Sequence, residues 1–502
     1  MIRRAKTENG WVRGIEAADP RVTAFKGVPF AAPPIGENRW RAPQPCADWE
    51  GDLDCSRFAP IGMQDTPGIG DNLYNREWHV DPEIPMSEDS LYLNIWTNAK
   101  SADEKLPVLV WYFGGGLQWG YTAEMEFDGE RIARRGIVVV SVNYRLGVFG
   151  FMAHPELTAA QPDAPTNFAS LDQQAGLKWV KRNIAAFGGD PDNITIAGQS
   201  AGGGSVMSQM TCPHNFGLFK RAIVQSALIS SPYSAGGFGR GLDLSMAEKN
   251  GENFLKFLGV ENIEEARKLD AFYIRNKYGE YAAAGNPRFY TSLDNKFCYG
   301  DPQTLFAEGK RADVQVMFGC THDEFLSSIR AKDEADFKAK VKDIFGDKAD
   351  EFLKFEEANT TDGRGGYATV NGIEIAAKKL MEIDKKGHNN YYYMFDVPMP
   401  GWDNPGSFHS SELWFFFESL AKCWRPLTGK YYDLARHMCN YYCNFIKCGD
   451  PNGEDFDGTE MPKWGAYSEE APNGMVFTPD GCVPTSENSE FVRFLIDHVK
   501  NK

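Results

Sequence analysis

The sequence predicts an α/β protein with a large, mostly parallel and twisted central sheet that carries helices on both faces. From residue 106 onwards, apolar runs rich in β-branched residues alternate with longer helical stretches. Strands that are buried on both faces have such continuous apolar runs, and parallel strands need crossover helices between them. The runs are PVLVWYF, IVVVSVNY, NITIAGQS, AIVQSAL and VQVMFGC.

The chain before this pattern predicts an N-terminal antiparallel hairpin. Apolar and polar residues alternate over 11–15 and again over 22–25, on either side of a turn at Asp19-Pro20. This alternation is typical of strands with one face in the core and one in solvent. The hairpin therefore precedes the parallel part of the sheet.

We predict one domain over residues 1–502, because large α/β proteins with insertions reach this length around a single sheet. Strand signals lapse over about 230–309, which contains the glycine-rich GGFGRG at 236–241, and again over about 331–389. We expect both insertions to lie over the carboxyl edge of the sheet, where open α/β sheets bind ligands. The sequence of the last segment, 488–502, predicts a helix with an apolar stripe that contains Phe491, Val492, Leu495 and Val499. This stripe packs either on the core or on a second subunit, so we expect a monomer or a homodimer.

Composition excludes several classes of partner. The formal net charge of −16 disfavours nucleic acids and anionic membranes, since both attract clustered Lys and Arg. No apolar run approaches the roughly 20 residues of a membrane span, and the first residues lack the apolar core of a signal peptide. The ten cysteines include no repeated CxxC pairs, which favours reduced thiols and no metal site. We expect a cytoplasmic protein.

Ser200 is the candidate nucleophile. It lies in Gly198-Gln199-Ser200-Ala201-Gly202, directly after the predicted strand NITIA and before a predicted helix. A strand, a tight turn with glycines on both sides and a helix form a nucleophile elbow, which lifts a serine hydroxyl out of the sheet. The motif in this context predicts the α/β-hydrolase fold and a serine hydrolase.

His409 is the candidate general base and, later, general acid. In this fold the partners follow the serine in the order acid, then histidine. Of the late histidines, His388 lies in a charged loop, and His437 and His498 lie within predicted helices. His409 lies in the loop PGSFHSSE before the predicted amphipathic helix ELWFFFESL, where an imidazole can project over the sheet edge.

The third member must be an ionised carboxylate at the end of a strand, where it orients the imidazole and stabilises its positive charge. Asp323 and Glu324 both follow the strand VQVMFGC. The pattern alone does not choose between them. The alternative role for one of them, favoured for Asp323, is to cap a helix that begins near Phe325.

Backbone amides are the candidate oxyanion hole, because negative charge develops on the ester carbonyl oxygen during attack. The run Phe113-Gly114-Gly115-Gly116 follows a strand, and its glycines allow the chain to present N–H groups to a carbonyl. The amide of Ala201 adds a further donor. A phosphate-binding P-loop needs Gly-Lys-Ser/Thr, and this chain continues Leu-Gln-Trp, so no phosphate site is expected.

With these residues assembled, the chain resembles the type-B carboxylesterase family, which includes cholinesterases and some fungal lipases. The resemblance implies a cofactor-free hydrolase of small carboxylic esters. It implies Ser200 as nucleophile, Glu324 rather than Asp323 as acid, His409 as base, and Gly115, Gly116 and Ala201 as amide donors. The matching segments are FKGVPFAAPPIGENRWRAP, SEDSLYLNIW, NYRLGVFGF, FGGDPDNITIAGQSAGG, THDEF and FHSSELWFFF.

The chain departs from the family pattern at three positions. Phe113 replaces the usual His or Tyr before the glycines, and Ser90 replaces a disulfide cysteine of secreted relatives. Phe325 replaces a glycine after the acid, which predicts a narrower pocket there. Trp78 lies in the region of the cholinesterases' cation-binding tryptophan or serves only packing.

The substrate stays open at this stage. We expect small to medium acyl or aryl esters, with feruloyl esters, lipids and choline esters as alternatives. A non-catalytic binding protein on the same scaffold is the alternative from another class, although its known examples lack a triad residue, and this chain keeps all three.

Overall fold

A large twisted sheet runs through the centre of the molecule. The structure is a computed structural model that describes residues 1–228, 231–234, 242–455 and 458–501. Within these ranges the sheet has 11 strands. Their order across the sheet is Gly481–Thr485, Gly474–Thr478, Tyr391–Phe395, Gln315–Thr321, Arg221–Gln225, Gly189–Gln199, Leu106–Tyr112, Val138–Val142, Tyr92–Thr97, Thr23–Pro29 and Ile15–Glu16.

The middle of the sheet is parallel, and its edges are antiparallel. Every pairing from Val138–Val142 across to Gly474–Thr478 is parallel. The outer pairings on both sides are antiparallel. Each of the apolar runs from the sequence forms one of the parallel strands, so the predicted α/β class with a mostly parallel sheet is confirmed.

The N-terminal hairpin is shorter than the sequence pattern predicts. Ile15–Glu16 pairs with Thr23–Pro29 in antiparallel fashion, as expected. Trp11–Arg13 belongs instead to a separate three-stranded sheet with Arg4–Lys6 and Asp52–Asp54. Alternation of apolar residues predicts a strand but does not identify its partner, which here lies about 40 residues further along the chain.

Helices cover both faces of the sheet. Along Leu106–Tyr112, Leu109 and Trp111 enter one large apolar core, and Val108, Val110 and Tyr112 enter the other. Two-sided burial of this kind explains the unbroken apolar runs. The α-helices are Leu73–Glu77, Glu130–Arg134, Gly147–Phe151, Pro155–Ala160, Phe168–Asn183, Ala201–Thr211, Leu244–Leu258, Ile263–Arg267, Ala271–Ala283, Pro302–Ala307, Glu334–Phe345, Ala349–Phe352, Gly372–Glu382, Leu413–Phe416, Gly429–Cys448 and Glu490–Lys500.

We propose that the two segments with few strand signals are insertions into one domain. The first contains helices and the short paired strands Leu242–Asp243 and Ser292–Leu293; its GGFGRG sequence at 236–241 lies outside the described residues. The second contains the strand Gly366–Asn371, which pairs with Leu326–Arg330 just after the candidate acid.

The helix Glu490–Lys500 packs on the second of these segments. Its apolar side chains join a cluster with residues from both helices and strands of that segment, including Phe337, Phe352 and Ile375. The apolar stripe that the sequence assigned to the core or to a second subunit is therefore buried within this chain. Among the described helices, none is long and apolar enough to cross a membrane.

Candidate active site

Ser200 stands on a sharp turn between the strand Gly189–Gln199 and the helix Ala201–Thr211. Its backbone has φ 56° and ψ −126°, a conformation that side-chain-bearing residues rarely adopt. Its N–H donates to the Gln225 carbonyl oxygen on the next strand at 2.8 Å, which ties the turn to the sheet. The predicted strand, turn and helix are therefore present at this serine.

Glycines make this turn sterically possible. A Cβ at Gly198 would lie 2.4 Å from the Gly202 carbonyl oxygen, and one at Gly202 would lie 2.1 Å from the Tyr112 carbonyl oxygen. Neither position has room for a side chain, since such contacts fall well inside van der Waals distance. The spacing of glycines around Ser200 thus follows from the close approach of two backbone segments.

Glu324 and His409 form a buried pair next to this turn. The Nδ1 atom of His409 lies 2.5 Å from Glu324 Oε2, and the Glu324 side chain has no exposed surface. The Thr321 N–H donates to the other carboxylate oxygen at 3.1 Å. The strand Gln315–Thr321 thus ends three residues before a carboxylate that faces the imidazole.

The pair shifts the pKa of both members in opposite directions. Burial acts to raise the pKa of Glu324, but the charge and hydrogen bond of His409 outweigh it and hold that pKa below its ordinary value. Burial likewise acts to lower the pKa of His409, and the Glu324 carboxylate reverses this and raises it. Glu324 is therefore ionised when His409 accepts a proton.

Asp323 has a different role from the one that the sequence suggested. No helix begins near Phe325 within the described chain, because Leu326–Arg330 is a strand paired with Gly366–Asn371. The Asp323 carboxylate instead accepts the Ser407 N–H at 2.7 Å, two residues before His409. The prediction of a helix cap is wrong, and Asp323 fixes the start of the histidine loop.

Several residues near His409 were not identified from the sequence. The Nε2 atom of Gln199 lies 3.5 Å from His409 Nε2, and the Ser410 hydroxyl donates to Gln199 Oε1 at 2.9 Å. The Tyr74 hydroxyl donates to the His409 carbonyl oxygen at 3.2 Å. These contacts join positions more than 200 residues apart in the chain. The helix after the loop, Leu413–Phe416, is short and buried on all sides rather than amphipathic.

Glu412 is a second buried carboxyl group beside the pair. It accepts a hydrogen bond from the Ser226 hydroxyl at 3.3 Å. Burial, followed by the Glu324 charge, raises the pKa of Glu412 to about 8. Two buried carboxylates close together do not both ionise readily, so Glu412 stays protonated up to about pH 8 while Glu324 is already charged.

The glycine loop lines the same cavity as the serine turn and carries free backbone donors. Gly115 has φ 102° and Gly116 has φ 61°, and a Cβ at Gly115 would lie 2.2 Å from the Trp119 carbonyl oxygen. In the described part of the chain, the N–H groups of Gly115 and Gly116 donate to no protein acceptor. The helix that starts at Ala201 also leaves its first N–H groups without intrahelical partners.

The Phe113 side chain holds this loop by packing, since a phenyl ring cannot form the hydrogen bond that a His or Tyr side chain could form here. Its ring stacks on Tyr144 with centroids 4.2 Å apart. The Tyr144 hydroxyl donates to the Phe113 carbonyl oxygen at 2.6 Å. The loop is therefore anchored on the side away from Gly115 and Gly116, although the family's usual polar side chain is absent at this position.

The serine turn, the glycine loop and the histidine meet at one cavity of about 740 Å³. Ser200, His409, Gly115, Gly116 and Ala201 contribute to its wall. Phe325 also lines the cavity and is 54% exposed, and its ring centroid lies 4.6 Å from that of His409. The sequence predicted that a phenylalanine at this position narrows the pocket near the acid. The further aromatic side chains of the wall are Tyr74, Trp78, Trp119, Phe127 and Tyr290.

One end of the cavity is acidic. Glu124 and Glu126 line it close to Trp78 and His79. The Nε2 atom of His79 lies 3.2 Å from Glu124 Oε2. Burial, followed by the Glu124 charge, raises the pKa of Glu126 well above its ordinary value. Within the described residues, no group of three or more His, Cys, Asp or Glu side chains forms a metal site.

The fold and the site define a class of protein. A serine on a strand-to-helix turn, a glycine loop and a buried carboxylate–imidazole pair face one cavity at the edge of a mostly parallel sheet. This arrangement is that of hydrolases with the α/β-hydrolase fold. The model of the Carboxylesterase family matches residues 3–362 and 331–495. The chain belongs to this family and is a carboxylesterase.

Known relatives support the same assignment. The chain is 30% identical over 509 residues to the cholinesterase of Mus musculus, covering 91% of this chain and 80% of that protein. It is 34% identical over 440 residues to the fumonisin B1 esterase of Sphingopyxis macrogoltabida, covering 82% of this chain and 74% of that protein. A solved PNB esterase superposes with a TM-score of 0.79 and 27% identity over 99% of both chains. The predicted fold and family resemblance are confirmed.

Proposed function

We propose that the chain hydrolyses small to medium acyl or aryl esters with Ser200 as nucleophile, His409 as general base and Glu324 as the orienting acid. The observation that carries this proposal is the 2.5 Å contact between His409 Nδ1 and Glu324 Oε2, beside the cavity that Ser200 lines. A carboxylate on Nδ1 keeps the proton there, so Nε2 stays unprotonated and can accept the serine proton.

In the acylation step, Ser200 Oγ attacks the ester carbonyl carbon while its proton passes to His409 Nε2. The carbonyl oxygen becomes an oxyanion, which accepts hydrogen bonds from the amides of Gly115, Gly116 and Ala201. The bond from the carbon to the alcohol oxygen then breaks, and His409 returns the proton to the departing alkoxide. The products are the free alcohol and an acyl group on Ser200.

In the deacylation step, a water molecule replaces the serine as nucleophile. His409 takes one proton from this water as the hydroxide oxygen attacks the acyl carbon. The same amides stabilise the second oxyanion. The ester bond to Ser200 then breaks, His409 returns the proton to Ser200 Oγ, and the carboxylic acid leaves. The cycle needs no cofactor.

The cavity supports substrates of moderate size. Its volume of about 740 Å³ lies in the usual range for small-molecule sites. Tyr74, Trp78 and Phe127 offer aromatic faces to a leaving group, which supports aryl esters, including feruloyl-type esters. A binding protein without catalysis does not need a buried carboxylate–imidazole pair, so that alternative has no observation in its favour.

We also propose a cytoplasmic protein that is a monomer or homodimer and binds no nucleic acid. All ten cysteines, which lie in the described part of the chain, carry free thiols, as expected in a reducing compartment. The net charge of −16 opposes binding to phosphate backbones. A salt-dependent shift on a DNA or RNA gel would contradict this part of the proposal.

The test is a rate series on p-nitrophenyl acetate, butyrate, octanoate and laurate, together with methyl ferulate. The Ser200→Ala variant serves as the control. We expect hydrolysis of the shorter esters and a loss of kcat of about 10⁴-fold or more in the variant. Retention of activity by folded Ser200→Ala protein would overturn the assignment of the nucleophile.

A further inference from the structure

Arg288 is the one Lys or Arg among the described residues that line the cavity. Its side chain is half-buried, and its guanidinium carbon lies 5.9 Å from the centre of the Tyr278 ring. Within the described chain it forms no ion pair with a carboxylate. A cation that lines a ligand cavity without a paired carboxylate keeps its charge available for a ligand.

The backbone around Arg288 is fixed to the loop that carries the proposed oxyanion donors. The Phe289 carbonyl oxygen accepts from Gln118 Nε2 at 2.9 Å, and the Phe289 N–H donates to the Tyr278 hydroxyl at 3.0 Å. That hydroxyl donates to Gln118 Oε1 at 2.7 Å, which closes a buried ring of three hydrogen bonds. The backbone next to Arg288 is therefore held against the segment that follows the glycine loop.

The side of the substrate that meets Arg288 follows from the chemistry. His409 must return a proton to the leaving alcohol, so the alcohol lies on the side of the cavity that holds His409. Tyr74 contacts the backbone of His409, and Trp78 stacks near Phe408, so these aromatic residues belong to that side. In the described chain, the hydrogen bonds of Phe289 go to Gln118 and Tyr278 and not to Tyr74 or Trp78, so we assign the Arg288 segment to the acyl side.

The other charged groups of the cavity favour the same orientation. Glu124 lies beside His79 at the leaving-group end, and its carboxylate repels an anion there. Asp301 also lines the cavity, but its Oδ2 accepts the Thr304 N–H at 2.9 Å and the Thr304 hydroxyl at 2.8 Å. This carboxylate caps a helix, which reduces its effect on a bound anion.

We infer that Arg288 binds a carboxylate on the acyl part of the substrate, so that the enzyme prefers half-esters of dicarboxylic acids. This inference rests on the proposed ester hydrolysis at Ser200. A guanidinium forms two parallel hydrogen bonds with a carboxylate, which suits it to this recognition better than a lysine. The preference arises in the bound complex, since the overall charge of −16 repels anions at long range.

The test compares kcat/KM for monobenzyl succinate, glutarate and adipate with kcat/KM for benzyl pentanoate, hexanoate and heptanoate. Each half-ester is paired with the neutral ester closest to it in length. Arg288→Gln should lower the ratio of half-ester to neutral ester by about 10- to 100-fold at the best chain length. Arg288→Lys should restore part of the ratio.

Lys296→Gln is the matched control. Lys296 lies on the same segment, is 43% exposed, pairs with Asp163 at 3.1 Å and does not line the cavity. Its substitution changes the net charge equally and should leave the ratio unchanged. An unchanged ratio in Arg288→Gln, with neutral esters still hydrolysed, would overturn this inference alone. No hydrolysis of either ester by the wild-type enzyme would overturn the proposed function as well.

Discussion

Glu324→Gln tests the proposed acid because it removes the charge but keeps the shape of the side chain. The Thr321 N–H already requires an acceptor at Glu324 Oε1, so the amide oxygen of glutamine would occupy that position. The amide NH₂ would then face His409 Nδ1, where Glu324 Oε2 lies at 2.5 Å. This reversal moves the imidazole proton to Nε2, which then cannot accept the proton of Ser200.

The expected loss of kcat is about 10³- to 10⁴-fold, or about 4 to 5.5 kcal/mol of transition-state stabilisation. The KM should change little, because the Glu324 side chain has no exposed surface and does not line the cavity. The assay is the hydrolysis of p-nitrophenyl butyrate from about pH 5 to about pH 10.

The pH profile gives a second and independent readout. His409 accepts a proton only above its own pKa, so activity rises with pH through that pKa. In the wild-type enzyme the Glu324 carboxylate raises this pKa, and without it burial lowers the pKa of His409. The acidic limb of the residual activity should therefore move to lower pH in Glu324→Gln.

Asp323→Asn is the neighbouring control. Asp323 accepts the Ser407 N–H but has no hydrogen bond to the His409 imidazole in the described chain. An asparagine oxygen at this position can still accept the hydrogen bond from Ser407. We expect a loss of less than about tenfold, with no shift of the acidic limb. Retention of more than a tenth of the wild-type kcat by Glu324→Gln, or an equal loss in Asp323→Asn, would refute the reasoning.

Two further predictions concern the oxyanion loop and the second buried carboxyl group. Gly115→Ala should lower kcat by about 100-fold, since a Cβ would lie 2.2 Å from the Trp119 carbonyl oxygen and displace the loop. Gly279→Ala is the control, because a Cβ there meets nothing within 4 Å, and it should retain full activity in the same assay. The pKa of Glu412 is about 8 in the folded protein, which exceeds its value in the unfolded chain. The contribution of Glu412 to stability is therefore greatest below the unfolded pKa and is lost as the pH rises towards 8. Glu412→Gln removes this contribution, so Tm should fall less between about pH 5 and pH 8 in the variant than in the wild-type protein. Parallel Tm curves for the two proteins in a thermal scan would contradict the second prediction.

The parallel strands and the serine turn were predictable because their signals are local. A strand buried on both faces, such as Val138–Val142, is apolar at all positions but Ser141, and that pattern is visible within five adjacent letters. The turn at Ser200 needs glycines at fixed offsets, and those are also adjacent in the chain.

The choice between Asp323 and Glu324 was not predictable from pattern alone, since both follow the same strand. It depends on which side chain turns towards His409, and the family resemblance, not the spacing, selected Glu324. The helix expected near Phe325 is a strand because Leu326–Arg330 finds its partner about 40 residues later at Gly366–Asn371. Gln199, Ser226 and Glu412 were missed for the same reason, since their contacts span long stretches of chain.

The helix Glu490–Lys500 has a consequence for the order in which the site is completed during synthesis. It follows every residue of the candidate site in the chain, yet it completes the apolar cluster of the segment that pairs with Leu326–Arg330, directly after Glu324. The nucleophile turn and the glycine loop leave the ribosome long before this helix does. The strand directly after the acid thus gains its full apolar support only once this helix has been made.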